Sequence, residues 1–236
     1  MPEPRVVLVT GGNRGIGRTI AEEFIAAGDR VAVTSRNGDA PEGALAVAAD
    51  VTDAASLDAA YTRVEEELGD VAVIVANAGI TRDNLLMRMG EDEFSAVVDT
   101  NLTGVFRTVK RGITNLIRHR YGRIVLISSV SGLYGVAGQA NYSAAKAGLV
   151  GLARSITREV GARGITANVV APGFVRTDMT EELPEKQQQE YLSAIPAKRF
   201  AEPSEVAKVV RWVASDEAAY ISGAVIPVDG GLGMGH

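Results

Sequence analysis

The chain has 236 residues and a formal net charge of −5. That length suits one large α/β domain spanning 1–236, and the acidic balance argues against a general nucleic-acid binder, which needs a basic face. With no cysteine and two histidines, His119 and His236, disulfides, thiolate metal sites and cysteine nucleophiles are excluded, and a Ser-His-Asp triad or His-rich zinc site has almost no material. Hydrophobic residues make up 46%, enough for a sizeable core. No apolar run reaches the ~20 residues of a membrane span. The start, Met1-Pro2-Glu3-Pro4-Arg5, lacks a signal pattern, so a soluble cytoplasmic protein is expected.

Apolar β-branched runs alternate with helical patterns along the chain. Val6 to Val9 reads as a strand, followed by a glycine-rich turn from Gly11 to Gly17. Ile16, Ile20, Phe24 and Ile25 then recur at helical spacing. Val31 to Thr34 and Leu45 to Ala49 read as strands, and Ala54 to Leu68 as an amphipathic helix. A strand follows at Val71 to Val75, then a helix at Thr100 to Arg118 and a strand at Arg123 to Ser128. Asn141 to Val160 is a long helix, Ile165 to Val170 a strand, Glu205 to Ala214 a helix and Ala224 to Val228 a last strand. Short continuous apolar strands separated by helices indicate a parallel sheet buried on both faces. Right-handed crossovers make it doubly wound, a Rossmann-type α/β fold of about seven strands. The irregular stretch from Pro172 to about Pro203 is long for a compact domain and reads as a lid.

The turn Gly11-Gly12-Asn13-Arg14-Gly15-Ile16-Gly17 sits between a strand and a helix. Glycine suits a tight turn whose backbone approaches a pyrophosphate, with the helix N-terminus facing the phosphates. An NAD site usually ends its second strand in a carboxylate for the ribose 2′-OH. Here Ser35-Arg36 stands there, with Arg14 nearby, and guanidinium groups pair with a 2′-phosphate. This favours NADP(H), although Arg36 also suits a solvated loop and Asp39 lies close. Asp50 reads as a helix N-cap or turn residue, a role compatible with cofactor contact.

Tyr142 and Lys146 stand at i and i+4 on one helical face, a pattern that also arises by chance. Ser129 ends a strand thirteen positions earlier. Gly11, Asn77, Ser129 and Pro172 all follow carboxyl ends of strands, where ligands bind in such sheets.

In this order, the Gly-x-x-x-Gly-x-Gly loop, Asn77-Ala78-Gly79, Asn101, Ser129/Tyr142/Lys146 and Pro172-Gly173 resemble the short-chain dehydrogenase/reductase family over essentially the whole chain. The resemblance implies catalysis by Asn101, Ser129, Tyr142 and Lys146. Tyr142 would be the proton donor, its pKa lowered by the Lys146 cation, and Ser129 would orient the substrate oxygen. Lys146 would also bind the nicotinamide ribose, and Asn101 would hold a water on the proton path. Cofactor contacts are implied for Gly11, Asn13, Arg14, Gly15, Ile16, Gly17, Ser35, Arg36, Asp50, Val51, Asn77, Ala78 and Gly79. Pro172, Gly173, Val175 and Thr177 would wrap the nicotinamide, and a substrate lid would span about 174–200.

The Asn141 to Gly148 segment, Val170 to Phe174 and the tail from Ile221 to His236 look like the 3-oxoacyl-[acyl-carrier-protein] reductases of fatty-acid synthesis, in their actinobacterial branch. That likeness implies a homotetramer and an acyl-carrier-protein partner. The arginines Arg118, Arg120, Arg123 and Arg163 are candidates for docking an acidic carrier, with Arg120 and Arg163 favoured by resemblance; solvated surface arginines are the alternative. A polyketide-type ketoreductase, another small-ketone reductase and a non-catalytic NADP-binding sensor are the competing functions. Tyr134, between Ser129 and Tyr142, is a candidate for the acyl pocket or a packed loop aromatic.

Overall fold

The computed structural model describes residues 4–177 and 184–234. Seven strands form one parallel sheet in the order β3-β2-β1-β4-β5-β6-β7. They are β1 (Val6–Thr10), β2 (Arg30–Ser35), β3 (Leu45–Ala48), β4 (Val71–Ala76), β5 (Gly122–Ile127), β6 (Ile165–Pro172) and β7 (Val225–Val228). The helices are α1 (Gly15–Ala26), α2 (Ala54–Glu67), α3 (Glu91–Val98), α4 (Gly104–His119), α5 (Ser131–Tyr134), α6 (Ala140–Val160), α7 (Glu185–Ala194) and α8 (Pro203–Val213).

Side-chain alternation along each strand divides the core into two layers. In β1, Val6 and Leu8 pack with α2, α4 and α6 through Tyr61, Leu116 and Leu149. Val7 and Val9 face the other way, onto Phe24 of α1 and Val210 of α8. Every residue of β1 and β5 is buried, as a parallel sheet covered on both faces requires. The sheet runs outward in two directions from β1 and β4, which are hydrogen-bonded neighbours. Their carboxyl ends flank the point of strand-order reversal, where such sheets bind ligands.

The expected strands and the doubly wound topology are present. Three differences have physical causes. Helix α3 was not anticipated, because Val97 is its one fully buried residue, so its apolar stripe is faint. Its start is fixed electrostatically: Glu91, Asp92 and Glu93 occupy the first turn, and the Glu93 carboxylate accepts the Gly90 N–H at 2.9 Å. The helix expected from Thr100 begins as a π turn, Asp99–Thr103, and becomes α-helical at Gly104. The stretch from Pro172 to Pro203 contains α7, and Val175 bridges Ala201. Residues 178–183 of the expected lid lie outside the described residues.

A buried asparagine acts as a backbone clamp at the far side of the sheet. Asn168 in β6 donates from Nδ2 to the Ile221 carbonyl at 2.7 Å and accepts the Ala224 N–H at 3.1 Å, fixing the entry to β7. Asn168→Ala leaves both groups unpaired and is expected to lower stability by about 1–3 kcal/mol, read from the urea midpoint at unchanged m-value.

Candidate active site

The crevice is built from the ends of β1, β4, β5 and β6. Gly11 has φ +65°, and its N–H donates to Thr34 O of β2 at 2.7 Å. A Cβ on Gly11 would lie 2.9 Å from Ala78 Cα, so the loop after β1 can rest on the loop after β4 only with glycine there. A Cβ on Gly17 would collide with the Asn77 side-chain amide and the Gly11 carbonyl. Asn77 fills that space, donating from Nδ2 to Thr10 O and Gly11 O, each at 3.0 Å. Thr10 Oγ1 in turn accepts the N–H of Asn77 at 3.1 Å and of Ala78 at 3.2 Å. Asn77 thus pins the two strand ends together. Thr10 belongs to the site, and sequence reading missed it because a threonine ending a strand is unremarkable by type.

Helix α1 starts at Gly15 with Arg14 as N-cap, no capping side chain and no acidic residue in its first turn. Among the described residues no side chain caps its first amides, and such a helix start suits an anion. Ile16 lies in this first turn, and Asn13 just before it is half-buried. Across the opening, Thr177 is the nearest neighbour of Gly15, 3.9 Å from where a Cβ would be. Arg14 and Arg36 are both exposed, and neither takes part in an ion pair among the described residues. Arg36 adds to the pull on Asp50, whose carboxylate is held below its usual pKa mainly by hydrogen bonds from Thr52 N–H and Oγ1 at 2.9 and 2.7 Å. The N-cap of α2 is Asp53, not Asp50. Ser35 donates its hydroxyl to Asp39 O at 2.9 Å, shaping the turn after β2. Val51 is buried against Gly104. The residues present fit a phosphate-bearing dinucleotide: an uncapped helix start, a glycine cradle and two guanidinium groups in the open.

On the other side of the switch point lie the four residues of the implied catalytic set. Lys146 is 3% exposed. Its Nζ donates to Ile127 O at 2.7 Å and lies 5.6 Å from the Tyr142 ring centre. Burial alone depresses its pKa to about 8. Ser128 donates to the Lys146 carbonyl at 2.9 Å, tying α6 to the end of β5. Burial raises the Tyr142 pKa, the neighbouring Ser129 hydroxyl pulls it back down, and Asp83 adds a smaller upward push. Asn101 is 0% exposed and sits in the π turn. Its amide is engaged on Ile80, donating to the carbonyl at 2.9 Å and accepting the N–H at 2.8 Å. A Cβ on Gly79 would stand 3.3 Å from Asn101 Oδ1 and 3.6 Å from Lys146 Nζ, so Gly79, Asn101 and Lys146 converge.

The segment after β6 is packed against its neighbours. Gly173 donates to Val228 O at 3.0 Å, Pro172 O accepts from Val130 N–H at 2.9 Å, and Val175 is buried. Phe174 stacks on Tyr191 of α7 at 4.1 Å between ring centres. A concavity of about 350 Å³ beside β7 is lined by Phe174, Arg199, Glu205 and Asp229; Ser129, Tyr142 and Lys146 do not line it. Tyr134, the last residue of α5, is exposed.

The arginines do not form the expected cluster. Arg123 is buried within β5, donating to Asp216 at 2.8 Å and to the Gly164 carbonyl at 3.1 Å, so it is removed from any docking surface. Arg118 pairs with Asp70 at 3.0 Å. Arg120 and Arg163 are exposed and adjacent, with Arg120 reaching the Ala162 carbonyl at 3.4 Å. They precede β5 and β6, at the opposite end of the sheet from Tyr142. The six residues of β5 separate the two ends by about 20 Å.

A glycine cradle at the switch point, with a Ser-Tyr-Lys-Asn set brought beside it by the β5 end, α6 and the π turn, is the pattern of a short-chain dehydrogenase/reductase. Sequence comparison agrees. The family described as "Enoyl-(Acyl carrier protein) reductase" matches residues 11–233. The chain is 55% identical over 232 residues to the 3-oxoacyl-[acyl-carrier-protein] reductase MabA of Mycobacterium tuberculosis, covering 98% of this chain and 94% of the relative. It is 54% identical over 232 residues to MabA of Mycobacterium avium, at 98% and 91% coverage. Against the 3-oxoacyl-[acyl-carrier-protein] reductase FabG of Escherichia coli it is 47% identical over 240 residues, with 98% of each chain covered. The chain belongs to the short-chain dehydrogenase/reductase family.

Proposed function

We propose that this chain reduces 3-oxoacyl-[acyl-carrier-protein] to the 3-hydroxyacyl thioester with NADPH, in fatty-acid synthesis. The observation that carries the reading is the meeting of Tyr142, Ser129 and the buried Lys146 beside the glycine-built crevice. The relatives' names supply the substrate class. When bound, NADPH supplies the hydride. Gly11, Asn13, Gly15, Ile16 and Gly17 would cradle its pyrophosphate, Arg14, Ser35 and Arg36 its 2′-phosphate, and Asp50 and Val51 its adenine. Asn77, Ala78, Gly79, Pro172, Gly173, Val175 and Thr177 would hold the nicotinamide half.

The protein's own task is the proton. Reduction leaves developing negative charge on the substrate oxygen, and Ser129 and Tyr142 stand together to receive it. An ordinary phenol, with pKa near 10, is a reluctant acid at neutral pH. The Lys146 ammonium, beside the ring and in low dielectric, stabilises the phenolate as Tyr142 gives up its proton. Asn101 fixes the Ile80 backbone next to Lys146, on the side from which the proton is replaced. The family description names enoyl reduction, yet the full-length relatives are 3-oxoacyl reductases, and a paired serine and tyrosine suits a carbonyl oxygen.

The same reading includes one domain over 1–236 with a lid at about 174–200, a homotetramer, and a cytoplasmic location. Among the described residues no helix is long and apolar enough to cross a membrane. A carrier protein would dock on Arg120 and Arg163, supported by their exposure and adjacency.

The test follows NADPH absorbance with an acetoacetyl thioester. NADPH should be oxidised, and Tyr142→Phe should lower kcat by about 10²–10⁴-fold in folded protein. Equal use of NADH would remove the role given to Arg14 and Arg36. No turnover would remove the reductase reading. Charge reversal at Arg120 and Arg163 is expected to raise KM about tenfold for the carrier-linked substrate while sparing the small thioester. Equal loss on both substrates would rule out carrier docking there.

A further inference from the structure

Helix α6 carries both Tyr142 and Lys146, but its two functional residues are held differently. Lys146 lies over the end of β5, anchored through Ile127 and Ser128. Tyr142 lies in the first turn, after an N-cap, Gln139, that makes no side-chain capping bond. First turns fray unless something outside the helix ties them down. The tie is Asn141, which is 0% exposed. Its Oδ1 accepts the Tyr142 backbone N–H at 2.7 Å. Its Nδ2 donates out of the helix, to Arg82 O at 2.8 Å and more distantly to Glu93 O at 3.5 Å.

Arg82 stands two residues beyond Ile80, whose N–H and carbonyl are held by the Asn101 amide. The same segment makes two further contacts with the start of α6: Asn84 N–H donates to Gly138 O at 2.9 Å, and Gln139 donates to the Asp83 carboxylate at 2.8 Å. One short stretch of chain, 80–82, is therefore gripped at one end by the amide of Asn101 and at the other by the amide of Asn141. It acts as a rigid bar between the π turn and the residue next to the catalytic phenol.

We propose that Asn141 is a positioning residue: by bonding the first turn of α6 to Arg82, it sets where the Tyr142 hydroxyl stands relative to Asn101 and Lys146. The inference rests on Tyr142 being the proton donor. A helix-capping role alone would be met by any short acceptor for the Tyr142 N–H. It would not require a donor aimed at another segment. The outward bonds from Nδ2 are what distinguish the bar from a cap. Proton transfer demands close alignment, and a misplacement of about 1 Å can cost about 10²-fold in rate.

The test compares Asn141→Ala and Asn141→Ser with Asn168→Ala, an equally buried clamp remote from the crevice. Each kcat with acetoacetyl thioester is normalised to NADPH-binding sites counted by fluorescence titration, so that loss of folded protein does not register as loss of rate. Serine can take the Tyr142 N–H but is too short to reach Arg82, so it carries the test if alanine folds poorly. Both Asn141 variants are expected to lose about tenfold or more in kcat per site, with KM and NADPH affinity within about twofold of wild type. Asn168→Ala should keep its kcat per site. Wild-type kcat per site in Asn141→Ser would overturn the proposal, as would an equal loss in Asn168→Ala. Full activity in Tyr142→Phe would instead remove the reading of Tyr142, and the inference with it, whatever the Asn141 variants do.

Discussion

The proposed chemistry depends on one buried cation. Lys146 is enclosed at the end of β5, where its ammonium donates to the Ile127 carbonyl, and burial brings its pKa to about 8. Desolvating an ammonium is costly, and the fold tolerates it because α6 is fixed on the sheet by Leu149, Ala153 and Ile156 beneath it. The cost has a use. In the proposed reaction the ammonium, 5.6 Å from the Tyr142 ring centre, would help this phenol, raised by its own burial, to release its proton.

The sheet topology places this cation where a dinucleotide would meet it. Strand order reverses between β1 and β4, and the two ends are locked by Thr10 and Asn77. The glycine loop, the Asn77 loop and the β5 and β6 ends are then parts of one crevice. Asn101 contributes from a π turn, which sets its amide against Ile80 where the chain leaves β4. The crevice is thus a set of backbone clamps around two functional side chains.

The strands were legible because β-branched runs of four to eight residues have few other uses, and the glycine loop because its spacing, strand and helix agree. Tyr142 and Lys146 were legible only in company with Ser129 and the strand ends. The faint apolar stripe of α3 hid that helix. Arg123 was misread because charge suggests solvent, while its partner Asp216 lies 93 positions away. Thr10 and Asn141 were illegible for the same reason: their importance lies in which backbone groups they hold, and a sequence does not show who faces whom.

The most direct test of the central claim is a titration of Lys146 in the folded protein, by NMR of ¹³C-labelled lysine side chains assigned with Lys146→Arg. One lysine should titrate near 8, with kcat falling as pH rises through that value and the ammonium is lost. Between about 8 and the ordinary 10.5, the unfolded chain holds a proton that the folded chain has shed. This group therefore makes folding more favourable as pH rises, and the loss of rate cannot be put down to Lys146 unfolding the protein. A Lys146 that titrates at its ordinary value, with no alkaline fall in kcat near 8, would contradict the account.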